Sequence, residues 1–143
     1  MSYIVYAQIY AWIPQPKVND ALDDDGDGVA DAGSLDQIIA NACQEVDGYL
    51  QGRYPVPFSG VIPSVVQAAA IAFACEAIAA RREAIGEKNP FAAKALLYRG
   101  SAANAGLLTR IANRELPLDV SEAESITPGA VICEEAPWNA SLR

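Results

Sequence analysis

The chain has 143 residues, 52% of them hydrophobic, and a formal net charge of −8, which suits one compact domain and excludes the disordered and low-complexity classes. It contains no histidine, so the commonest general base, zinc ligand and partner of a nucleophilic serine or cysteine is missing. Its three cysteines, Cys43, Cys75 and Cys133, are odd in number and form no CxxC pair, which favours reduced, buried thiols over disulfides or a zinc site.

Tyr3 to Trp12 mixes aromatic and β-branched residues. The pattern allows a strand or a short amphipathic helix, and a short helix ended by Pro14 is the preferred assignment. The start MSYIVYAQIYAW lacks the basic flank and cleavage-site pattern of a secretory signal, so the protein is expected to stay in the cytoplasm where it is made. Asp23-Asp24-Asp25-Gly26-Asp27-Gly28-Val29-Ala30-Asp31 is too acidic and glycine-rich for a regular element, and no good helix is expected before it.

This loop is the sharpest local motif. Asp23, Asp25 and Asp27 alternate, Gly26 and Gly28 permit a tight turn, Val29 offers a carbonyl and Asp31 falls at a ninth position, matching the first nine positions of an EF-hand calcium loop. The twelfth position is Ser34 rather than a bidentate glutamate, which leaves Asp36 as the one substitute. The alternative is an Asx-rich turn that caps the next helix and binds no ion.

Ser34 and Gln37 form a capping-box pattern. Leu35, Ile38, Ile39, Ala42, Val46, Tyr49 and Leu50 then recur at steps of three and four residues, predicting an amphipathic helix that ends near Gly52. Arg53-Tyr54-Pro55-Val56-Pro57-Phe58 reads as an extended connector. Pro63 opens a second helix to about Ile85, apolar on nearly all sides and stopped by Gly86. Its alanine content and its interruptions by Gln67 and Glu76 point to a buried helix rather than a membrane span. Asn89-Pro90 starts a third, from Phe91 to Ile111, with a kink or break at Gly100 and Gly106. The fold expected is therefore mainly α, a bundle of three to five helices over residues 1–118. An acidic, proline-containing arm over 119–143 follows it, with one short strand or hairpin around Ala130 to Cys133.

Charge is segregated along the chain. Asp20 to Asp36 holds seven aspartates and Glu115 to Glu135 six carboxylates, neither with a basic residue. Arg53 to Arg114 carries eight basic residues against three glutamates, about +5. An acidic part could pair with the basic part of a neighbouring copy and build a ring, or both could be solvated faces. Within the basic stretch, Arg53, Arg81, Arg82, Lys88, Lys94 and Arg99 are candidates for an oligomer contact or a channel wall facing DNA, where phosphate attraction needs no sequence readout. The alternative for the Arg81–Arg82 group is a solvated helix end favoured by the helix dipole. No GxSxG or GxxxxGK[ST] frame is present, so no active site is expected.

In order and spacing, the aspartate loop, the helix SLDQIIANACQEVDGYLQGRYPVPF, the alanine-rich helix and the closing LLTRIANRELPL resemble the Mu-like phage neck proteins over about Tyr3 to Leu118. The resemblance implies a non-enzymatic virion subunit of a homo-oligomeric head–tail connector ring, assembled in the host cytoplasm. Its partners would be the portal and the tail terminator or other tail proteins, with DNA passing through non-specifically and no membrane involved. No cofactor is then required, although calcium remains a candidate ligand. A calcium-binding interaction module unrelated to virions is the alternative function.

Overall fold

The most apolar stretch of the sequence becomes the central helix of a bundle in a computed structural model, which describes residues 2–83 and 88–120. In chain order the helices are α1 (Tyr6–Tyr10), α2 (Gln15–Leu22), α3 (Ser34–Leu50), α4 (Ser64–Glu83), α5 (Ala92–Arg99) and α6 (Leu107–Ala112). α4 meets α1, α2, α3 and α5, while α6 closes the bundle against α3 and α5. A helix surrounded this way needs apolar residues on several faces at once. Val66, Ala69, Ala70, Phe73, Ala74, Cys75 and Ile78 accordingly stand at 2% exposure or less. Ser64–Arg82 is long and apolar enough to cross a bilayer by length and composition, but its neighbours make it the inside of the bundle. The expected helix end at Ile85 and Gly86 lies outside the described residues.

α3 follows its stripe. Leu35, Ile39, Ala42, Val46 and Leu50 are buried, whereas Asp36, Gln37, Asn41, Gln44 and Gln51 are exposed. Each fully buried aliphatic side chain here contributes about 1.5–3 kcal/mol. The capping box expected at its start does not form. Gly33, with φ at +80°, precedes the helix, the Ser34 N–H donates to the Asp31 carbonyl at 3.1 Å, and the Gln37 side chain donates to Asn41 at 2.8 Å. A left-handed glycine turns the chain straight into the first helical turn, so Ser34 enters the helix instead of capping it.

Where one helix ended by Pro14 is expected, two form. α1 is short because Tyr3 and Ile4 are buried ahead of it. The Tyr3 N–H donates to Cys43 Sγ at 3.4 Å and the Tyr3 carbonyl accepts from Gln67 Nε2 at 3.0 Å. α2 starts directly after Pro14 and takes Pro16 in its first turn, where a missing N–H forfeits no helical bond. A helix therefore does lead into the aspartate loop, against expectation. Proline read as a terminator is here a starter.

The third predicted helix breaks at its glycines. Gly100, with φ at +88°, forms an isolated antiparallel bridge with Ala105, and a Cβ on Gly100 or Gly106 would overlap the other's backbone. Asn89 Oδ1 accepts the Phe91 N–H at 3.0 Å and Asn89 Nδ2 donates to the Glu76 carbonyl at 3.1 Å, fixing the turn into α5. With α2 added and the third helix divided, six helices stand among the described residues in place of three to five. After α6 the chain stays on the domain, with the Leu118 N–H donating to the Tyr54 hydroxyl at 3.0 Å. The strand expected at Ala130 to Cys133 lies outside the described residues.

Candidate functional site

α2 delivers the chain into the aspartate loop and α3 takes it away, and the Asp31 N–H closes the base of the loop on the Leu22 carbonyl at 2.9 Å. Within it, Asp23 accepts from the N–H groups of Gly26 at 2.6 Å, Gly28 at 2.7 Å and Asp27 at 3.1 Å. These donors, Gly28 foremost, hold the Asp23 carboxyl below the usual carboxylate range. Asp25 accepts from Asp27 at 3.1 Å and Asp27 from Val29 at 2.8 Å. The result brings one carboxylate oxygen from each of Asp23, Asp25 and Asp27 within 4.8 Å of one another. Three oxygens are half or fewer of the six to eight that calcium takes, so carbonyls and water would have to supply the rest. Asp31 instead accepts the Asp24 N–H at 3.2 Å, and Asp36 accepts the Tyr6 hydroxyl. The Val29 side chain is exposed.

The basic candidates are spread over several places, and most have partners within the chain. Arg81 pairs with Asp24 at 3.1 Å and Arg82 with Asp20 at 3.3 Å, tying the basic end of α4 to α2 and the acidic loop. Arg99 joins Glu45 of α3 and Glu76 of α4 and lies 4.4 Å over the Phe73 ring. Its pKa is raised beyond the usual guanidinium value, chiefly by Glu45. Arg53 is 8% exposed; its Nη1 donates to the carbonyls of Ile111 and, at 2.9 Å, Leu116. Lys94 Nζ stands 3.5 Å over the Trp12 ring centroid, and Lys88 is exposed. Residue types and spacing identified these cations but not their partners. Glu45 lies 54 positions before Arg99, a separation no local pattern encodes.

One polar cluster was not anticipated. The Tyr3 hydroxyl donates to Asp47 and accepts the Phe58 N–H at 3.0 Å. Burial pushes both the Tyr3 phenol and the Asp47 carboxyl above their ordinary values. Burial also raises the Cys43 thiol and pushes Cys75 up to about 11. Thiols kept protonated in this way pack rather than react. Cys133 lies outside the described residues.

Residues 3–131 match the family model described as Bacteriophage Mu, Gp36. No curated protein matches the chain.

Proposed function

Because the chain belongs to the bacteriophage Mu Gp36 family, we propose that this phage protein is a structural subunit of the neck, one copy in a ring joining the head portal to the tail and letting DNA pass. The extent of the match carries the reading, since residues 3–131 run through every helix of the bundle. Exposed apolar side chains support it. Val5 and Tyr6, Val61, and Leu96 with Leu97 sit on separate elements at 43% to 88% exposure, as suits a subunit with neighbours on more than one side. Arg53 and Arg99 serve the interior contacts of the subunit, which leaves exposed arginines such as Arg81, Arg110 and Arg114 to face DNA. Catalysis forms no part of this reading.

Native mass spectrometry of the purified chain, alone and with the portal and tail proteins of its phage, tests the proposal. Multi-copy species that persist in EDTA and bind the portal are expected. A monomer at every concentration that ignores portal and tail proteins overturns it.

A calcium-binding interaction module is the second reading, favoured by the gathering of Asp23, Asp25 and Asp27. Calcium would then raise the thermal midpoint and EDTA would lower it. Asp25→Ala would abolish that response while leaving the metal-free fold nearly unchanged. A midpoint indifferent to calcium removes this reading.

A further inference from the structure

A groove beside the last turns of α4 combines aromatic and basic lining. Trp12, Phe91 and Ile78 give it apolar surface, and Lys17, Arg82 and Lys88 give it positive charge around a cavity of about 190 Å³. Arg82 is paired with Asp20. Among the described residues, no carboxylate pairs with Lys17 or Lys88. Four further grooves among the described residues lack this combination. The one beside Tyr6 has Asp36 as its charged residue, and the one beside Leu97 has no charged lining.

The complement is written in the sequence beyond the described residues. Glu134-Glu135-Ala136-Pro137-Trp138 holds two adjacent carboxylates three and four positions before an aromatic residue. The carboxylates match two ammonium groups in charge, and the indole suits an apolar hollow.

We propose that this groove seats Glu134–Trp138 of a second copy of the chain. The ring reading selects a second copy, and the placement of the two ends allows one. Val120, the last described residue, shares a hollow with Pro57, Phe58 and Val61 near the start of α4. The groove lies at the other end of α4, about 27 Å away by the rise per residue from Ser64 to Arg82. Residues 121–133 can extend to about 45 Å, enough to reach the groove of the same subunit or that of a neighbour. An arm departing at one end and a seat at the other produce a head-to-tail contact that closes into a ring when the rotation is right. The inference rests on the ring reading above and names the contact that would build the ring.

The test mixes full-length chains labelled with nitrogen-14 and nitrogen-15, lets them assemble, and joins contacting amines and carboxylates with a carbodiimide. Amide links from Lys17 or Lys88 to Glu134 or Glu135 are expected in mixed-isotope pairs. Links confined to one isotope, or none at these residues, overturn the proposal. In parallel, Lys17→Glu with Lys88→Glu should raise the concentration for half-assembly by about tenfold, and adding Glu134→Lys with Glu135→Lys should restore it. Assembly that ignores the reversal also overturns it. A chain that never assembles sinks the ring reading and this one together, whereas rings without these links sink only the seat.

Discussion

Tyr3 shows how much a single residue can hold. Its N–H reaches Cys43, its carbonyl Gln67, and its hydroxyl both Asp47 and Phe58, so the start of the chain is bound to α3, α4 and the connector between them. Tyr3→Phe removes the hydroxyl and leaves the other groups short of a partner, which should cost about 1–3 kcal/mol at neutral pH in urea unfolding. The phenol has a folded pKa above its ordinary 10.0. The stability from neutral Tyr3 is therefore complete below that value and is lost as pH rises toward the folded one. The thermal midpoint should fall above pH 10, and less steeply in Tyr3→Phe; equal slopes would contradict this role. Arg53 shows the limit of reading at this scale. Sequence displays its charge, but burial and the carbonyls 58 and 63 positions away decide that it anchors the chain around and after α6.

Among the helices, length decided what the pattern could show. α4 was legible because twenty residues sustain an apolar run on several faces, and α3 because seventeen sample one buried face several times. α1 and α2, with five and eight, sample such a face once or twice, and Pro14 between them signals an end and a beginning equally well. Val46 is wholly buried in α3. Val46→Asp should unfold the domain, since a carboxylate there lacks the solvation it needs; an unmoved melting transition would refute the apolar stripe. Gly100 makes the opposite demand. Gly100→Ala puts a methyl group against the backbone of Gly106 at a left-handed φ, and a loss of about 1–3 kcal/mol in chemical denaturation is expected. Gly48→Ala, in open space within α3, should instead be neutral or mildly stabilising.

Across the whole molecule, the segregated charge of the sequence is partly spent inside it. Arg81 and Arg82 meet Asp24 and Asp20 of the same chain, so acidic and basic stretches far apart in sequence become neighbours without a second copy. Partly exposed pairs of this kind contribute about 1 kcal/mol or less each and orient more than they stabilise. The spacing of Asp23, Asp25 and Asp27 did foretell a cluster. The places of Asp31 and Asp36 were not legible, because a backbone N–H and the Tyr6 hydroxyl compete for them, and competition of that kind appears only once the chain is folded.

That α4 meets four of the other five helices bears on how the protein comes apart. No pair of helices that omits it keeps the larger share of the interior, so half-open forms should be scarce and loss of structure should be all-or-none. Backbone deuterium uptake along Ala69 to Ile78 should then proceed only through complete opening, at one shared slow rate, while α1 and the aspartate loop exchange early.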